Sequence, residues 1–135
     1  MPKDLNASGL ARKFSFRHAL VPLIWATLIV FLHGIPGSDL ALRDWTVLFH
    51  LDKLAHAAIF TILSCSVFIA LGKSGRIRQY KLFALFGLSL FGIVLEFSQG
   101  LWFHQRDTSG MDMLADFLGV ILGRVAFRLI YGCWN

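Results

Sequence analysis

Four apolar runs, separated by short polar segments, divide this chain of 135 residues. They cover about residues 19–35, 53–71, 82–101 and 112–131. An α-helix rises about 1.5 Å per residue, so roughly 20 residues cross a hydrocarbon layer of about 30 Å. The last three runs are long enough by themselves, and the first becomes long enough when it extends to Ile35. The pattern predicts an all-α protein, a four-transmembrane-helix bundle.

Composition argues against a soluble domain. Hydrophobic residues make up 56% of the chain and charged residues 16%, against about 45–50% and about 25% in soluble domains. Cys65 lies in an apolar run and Cys133 near the C-terminus, which indicates free thiols rather than a disulfide framework. The net charge of +5 is spread between the runs. It therefore favours membrane orientation over binding of nucleic acid.

Basic residues concentrate in every second polar segment. They precede the first run and separate the second from the third: Lys3, Arg12, Lys13, Arg17, Lys73, Arg76, Arg78 and Lys81. By the positive-inside rule, both termini lie in the cytoplasm, and the first and third loops lie outside. Residues 1–18 are then a basic interfacial arm on cytoplasmic lipid, and residues 19–135 a single transmembrane domain. A bacterial cytoplasmic (inner) membrane is the expected location.

Two weaker patterns concern the outer loops. Four residues of loop one recur at helical spacing: Ala41, Trp45, Leu48 and Phe49. This spacing predicts a short interfacial helix on the outer surface. The sequence Asp-x-Leu-Ala begins at Asp52 and again at Asp112, where the second and fourth runs enter from the same side. This predicts a 2+2 repeat of hairpins about an axis along the membrane normal.

Three ionisable residues inside the runs are predicted to lie at one depth. With Asp52 and Asp112 at the outer boundary, His56 and Asp116 lie about 6 Å inside it, because each is four residues further along its helix. Glu96 lies about 22 Å from the inner boundary and hence about 8 Å from the outer one. A charge in hydrocarbon costs roughly 2.5–3.5 kcal/mol, so such groups normally face one another or water.

Small residues share helix faces with these polar residues. Gly92 precedes Glu96 by one turn, and Gly119 and Gly123 follow Asp116 in G-x-x-x-G spacing. Small residues let helices approach closely and carry polar neighbours into the bundle. The sequence therefore predicts one outward-opening pocket. Its candidate ligand-binding residues are Asp52, Lys53, His56, Glu96, Gln99, Arg106, Ser109, Asp112 and Asp116.

These positions form a spaced motif over about residues 45–125. It reads Asp52-Lys53-x-x-His56, then Glu96-x-x-Gln99, then Arg106-x-x-Ser109-x-x-Asp112-x-x-x-Asp116-x-x-Gly119-x-x-x-Gly123. The motif resembles the VanZ-like family of small integral membrane proteins. One departure is Asp116, where the family usually shows Asn. Since the family is named for a member linked to resistance to the glycopeptide teicoplanin, the resemblance implies a cell-envelope context without implying a reaction.

Each chemical interpretation has a structural alternative. His56, Glu96 and Asp116 are candidate catalytic acid–base groups, or they form interhelical hydrogen bonds. Lys53 and Arg106 bind an anion, or their side chains reach lipid headgroups. A metal site formed by His56, Glu96, Asp112 and Asp116 lacks any HExxH-like ligand spacing. Neither a metal nor a cofactor is therefore predicted.

Three functions stay open from the sequence. The favoured one is a non-enzymatic envelope protein whose pocket binds a polar headgroup, a lipid-linked glycan or another envelope ligand. The second is a structural or assembly subunit of a larger membrane protein complex. The third is a small membrane enzyme that acts on a lipid-linked substrate. The expected partners are membrane lipid and such a ligand or complex, and no nucleic acid.

Overall fold

The chain folds into α-helices, which a computed structural model describes over residues 16–34, 45–102 and 110–132. These helices are α1 Phe16–His33, α2 Trp45–Lys73, α3 Ile77–Trp102 and α4 Gly110–Tyr131. The described residues contain four helices and no strand. The all-α prediction is therefore confirmed, and each predicted run corresponds to one helix. Of the predicted arm, residues 16–18 already belong to α1, and residues 1–15 lie outside the described part.

The second helix begins well before the predicted span. It extends over 29 residues from Trp45 to Lys73 without a break. The predicted separate interfacial helix is wrong, because Trp45, Leu48 and Phe49 belong to α2 itself. The physical reason is that neither glycine nor proline occurs from Trp45 to Leu71, so nothing interrupts the backbone hydrogen bonds. Ala41 lies outside the described residues.

Two of the four described helices have the length and apolar character of membrane segments. Two are long and apolar enough to cross a membrane, α2 over Asp52–Lys73 and α3 over Ile77–Leu101, and α1 has a shorter apolar stretch, Arg17–His33. Large side chains lie exposed on the outside, among them Phe83 at 77% and Leu129 at 79% exposure. Monomeric soluble proteins rarely expose large apolar patches of this kind. These features indicate membrane association.

The longest helix contact joins α2 and α4, which run parallel. Lys53 of α2 bonds to Asp112 of α4, 59 residues later, and His56 bonds to Asp116, 60 residues later. Near the other end, the rings of Phe68 and Phe127 lie with centroids 6.0 Å apart. The offset of 59 or 60 residues between contacting positions matches the 60 residues that separate the two Asp-x-Leu-Ala sequences. Parallel contact between equivalent positions is the arrangement that the 2+2 repeat predicts.

Two glycines of α4 allow this close approach. A methyl group at Gly119 would lie 2.5 Å from the carbonyl oxygen of Ala57 and 2.8 Å from Cβ of Phe60. At Gly123 it would meet the carbonyl oxygen of Thr61 and lie 2.6 Å from Cβ of Ser64. Since the α4 backbone rests on α2 at both positions, the predicted packing role of the G-x-x-x-G sequence is confirmed.

The remaining helices pack antiparallel to α2. Trp25 of α1 donates its indole N–H to the carbonyl oxygen of Ile59, at 3.0 Å. A tight turn at Gly75, with φ of 69°, joins α2 to α3. Exposed basic residues surround this turn, and we call this the basic end: Lys73, Arg76, Arg78 and Lys81. The apolar core follows in two layers, first Phe68, Ile77 and Phe127, then Ile29, Phe60, Leu63, Leu95 and Val120.

Candidate functional site

Buried polar side chains from all four helices gather at the end of the bundle opposite the basic end. This polar cluster comprises His33 of α1, His56 of α2, Glu96 and Gln99 of α3, and Asp116 of α4. Each is between 2% and 8% exposed. His33 ends α1, the α3 and α4 members lie within two turns of a helix end, and His56 lies about three turns into α2. His56, Glu96 and Asp116, which the sequence predicts at one depth, lie next to one another in this cluster.

His56 stands between two carboxylates. Its Nδ1 lies 3.0 Å from Oδ1 of Asp116 and 3.8 Å from Oε1 of Glu96. The shorter distance is a hydrogen bond, in which Nδ1–H donates to the carboxylate. The second oxygen of Asp116, Oδ2, is buried and has no hydrogen-bond partner among the described residues. Gly92 of α3 leaves room for it, since a methyl group there would lie 2.9 Å from Oδ2.

His33 is the member of the cluster that sequence reasoning missed. Its ring lies edge-on to that of His56, with centroids 5.0 Å apart. Its Nδ1–H donates to the carbonyl oxygen of Ile29 at 2.9 Å, and Gln99 donates its amide to the carbonyl oxygen of His33 at 3.1 Å. A signal is present in the sequence, because His33 lies near the end of the first apolar run, at the end that the prediction places on the same side as His56.

Lys53 and Asp112 form an ion pair at the edge of the cluster. Nζ of Lys53 lies 2.9 Å from Oδ1 of Asp112, and their side chains are only 16% and 13% exposed. Lys53, which the sequence predicts to meet either an anion or lipid headgroups, is thus also bonded to Asp112 and joins α2 to α4. Its expected companions in the third loop, Arg106 and Ser109, lie outside the described residues.

Two groups of side chains bring potential metal ligands together. In each group, one donor atom per residue lies within 4.8 Å of the others. The first group is His33, His56 and Glu96, all buried, and the second is Asp52, His56 and Asp112, in which only the histidine is buried. The four-residue combination suggested by the sequence is therefore divided between two groups that share His56. Asp116 belongs to neither.

Polar contacts continue from the cluster into the bundle. Ser64 of α2, fully buried, donates its hydroxyl to the carbonyl oxygen of Val120 of α4 at 2.7 Å. Deeper still, the Arg124 guanidinium lies 4.8 Å from the ring centre of Phe68. Cys65, between these positions, is a free thiol as predicted, and Cys133 lies outside the described residues. These contacts join α2 to α4 and contain no nucleophile–base pair.

Comparisons with family models, with curated proteins and with solved structures found no match to this chain. The VanZ-like resemblance therefore stays a prediction that rests on its motif residues. Chemically, the polar cluster offers a histidine with two carboxylates for proton transfer, an amide and imidazoles for hydrogen bonding, and nitrogen and oxygen donors for a metal ion.

Proposed function

We propose that this chain is a VanZ-like protein of the bacterial cytoplasmic membrane that spans it four times. Both termini then lie in the cytoplasm. The polar cluster forms the floor of an outward-facing site for a polar headgroup, a lipid-linked glycan or another envelope ligand. The observation that carries this proposal is the burial of polar side chains from all four helices at one end of an otherwise apolar bundle.

The distribution of charge supports the orientation. Lysines and arginines surround the α2–α3 turn at the basic end, whereas Asp52, Asp112 and Asp116 lie at the opposite end. Basic residues favour the cytoplasmic side of a membrane. The polar cluster then faces outward. The apolar stretch of α1 is shorter and α4 carries charged residues, but in this arrangement both helices cross the membrane beside α2 and α3.

The energetics support a role in binding. Charged residues within membrane helices are rare, and in known membrane proteins they mark substrate and ion pathways. Here Glu96 and Asp116, both 2% exposed, lie on different helices around one histidine. Lys53, at the edge of the cluster, adds a cation that a phosphate or carboxylate group of a ligand can approach.

A second candidate function is supported by the internal bonds of the same residues. Lys53 bonds to Asp112, His56 to Asp116, and Gln99 to the backbone of α1. Such bonds hold helices together in a membrane. In a structural or assembly subunit, the polar cluster would serve only as this clamp, and the exposed apolar faces would contact partner proteins.

Native mass spectrometry of the protein, extracted from its own host in mild detergent, tests these proposals. We expect the wild-type chain to carry a defined lipid or lipid-linked glycan. Lys53→Ala or Arg106→Ala is expected to lose it, because Lys53 lies at the edge of the polar cluster and the sequence predicts Arg106 in the third loop. Lys73→Ala is the matched control, since Lys73 is exposed at the basic end of the same helix as Lys53.

Retention of the same ligand by Lys53→Ala and Arg106→Ala, both with wild-type helix content, would contradict the binding proposal. A stoichiometric partner protein with no bound ligand would instead favour the structural subunit. Loss of the ligand in all variants, Lys73→Ala included, would also contradict the proposal, because binding would then not depend specifically on the polar end.

A further inference from the structure

We propose that His33, His56 and Glu96 bind a divalent transition-metal ion such as Zn²⁺. Sequence spacing predicts no metal site, because these three residues lie on three helices, α1, α2 and α3, and form no local motif. The proposal goes beyond the ligand binding described above and does not rest on it. It follows from the chemistry of the donor atoms, the distances between them and their burial.

The donor atoms have the right chemistry and are close together. Two imidazole nitrogens and one carboxylate oxygen form a set typical of zinc sites that keep an open coordination position. Imidazoles favour Zn²⁺ and its neighbours in the transition series over Mg²⁺ or Ca²⁺. Here the donors lie within 4.8 Å of one another. Around a tetrahedral zinc ion they would stand about 3.4 Å apart, given bonds of about 2.0–2.1 Å. A bound ion would therefore have to draw the three donors closer together by rotation of their side chains.

Each histidine makes the kind of ring N–H bond that metal-binding histidines make. Metal-binding histidines almost always donate their second ring N–H to a carboxylate, a backbone carbonyl or water. His33 donates Nδ1–H to the carbonyl oxygen of Ile29, and His56 donates Nδ1–H to Asp116. In this tautomer the lone pair of each ring is on Nε2. Asp116 is thus a positioning residue, and its Oδ2, buried without a described partner, is available to a further donor.

The second group of potential ligands fits a cation less well. In it, Asp112 already lies 2.9 Å from the ammonium group of Lys53, whose charge repels a metal ion. Asp52 and Asp112 are also only partly buried, so water competes for them. The group of His33, His56 and Glu96 is buried throughout, with exposures of 8%, 6% and 2%. It is therefore the group that we assign to the metal.

The test measures metal binding by the full chain in detergent, purified with a tag that contains no histidine and stripped with a chelator. Zn²⁺ is titrated against a chromophoric competitor, and Co²⁺ is added to record the visible absorption of a four-coordinate site. We expect one Zn²⁺ per chain. We expect Asp116→Asn to weaken binding about 10- to 100-fold, and His33→Gln or Glu96→Gln to weaken it more, since each removes a ligand.

The matched control is His18→Gln, which makes the same substitution on α1 at the opposite end of that helix. We expect it to bind Zn²⁺ as the wild type does. If His33→Gln does not fold, Glu96→Gln carries the test, because the amide keeps the shape of the side chain. Absence of Zn²⁺ binding by the wild type, or wild-type affinity in folded His33→Gln and Glu96→Gln, would overturn the proposal. These readouts do not depend on the envelope ligand, so either proposal can fail alone.

Discussion

Single hydrogen bonds, between helices or within one, decide how the buried polar residues are arranged. His56 is fixed by Asp116, His33 by the backbone of its own helix, and Gln99 by the end of α1. A buried polar group that loses its partner costs about 1–3 kcal/mol. The geometry of the polar cluster is therefore set residue by residue and depends little on helix propensity.

Ser64 offers a test at this scale. Its hydroxyl donates across the α2–α4 contact to Val120. We expect Ser64→Ala to lower the free energy of unfolding by about 0.5–1.5 kcal/mol, the range for interhelical bonds in membranes. Reversible unfolding in mixed detergent micelles measures this. Ser66→Ala is the control, because Ser66 donates to Leu63 within its own helix. Equal losses in both variants would show that the interhelical bond contributes nothing.

The candidate site is partly predictable from residue spacing. His56, Glu96 and Asp116 can be placed at one depth because helix rise and span length fix depth. Two features cannot be found in this way. The burial of His33 depends on how α1 leans against α2, and the pairing of Lys53 with Asp112 depends on which helices are neighbours. Residue spacing within one helix gives no information on either the burial of His33 or the pairing of Lys53 with Asp112.

At the scale of elements, the α2–α4 contact depends on glycine. Gly123→Ala places a methyl group against the backbone of α2 at Thr61 and Cys65. We expect it to lower the free energy of unfolding by about 1–3 kcal/mol, as overpacking does. Gly87 of α3 is the control, because a methyl group there would have no neighbouring atom within 4 Å among the described residues. Gly87→Ala should be neutral or stabilising by about 0.5–1 kcal/mol.

The opposite signs of these two effects make the comparison decisive. The higher helix propensity of alanine alone would stabilise both variants, whereas close packing destabilises only the Gly123→Ala variant. Stabilisation of the Gly123→Ala variant, measured by the same unfolding experiment, would mean that α2 and α4 do not lie in backbone contact at this position.

The helices themselves are predictable from the sequence, and their ends are less so. Apolar runs identify α1 to α4, because a helix that crosses the hydrocarbon core of a membrane needs a long apolar segment. The start of α2 is misplaced by sequence reasoning, since amphipathic spacing near Trp45 is also typical of a separate interfacial helix. Spacing reports a helical face and does not report whether one helix ends before the next begins.

For the whole molecule, labelling of single cysteines tests the orientation. The background carries Cys65→Ala and Cys133→Ala. We expect a membrane-impermeant maleimide to label Gly110→Cys in intact spheroplasts and Arg78→Cys only after lysis, because α3 separates these exposed positions. Labelling of both positions from one side would exclude a membrane-spanning α3. Labelling of Arg78→Cys in intact spheroplasts and of Gly110→Cys only after lysis would show the opposite topology.

The parallel pairing of α2 with α4 also sets an order of assembly during synthesis. Ser64 finds its partner 56 residues later, and His56 finds Asp116 60 residues later. At about 5–20 residues per second, the ribosome needs roughly 3–12 s to make that stretch. Through this interval α2 has only α1 and then α3 beside it. Since α4 supplies Asp116, a nascent chain stopped before Gly110 contains His56 but lacks the carboxylate that orients it.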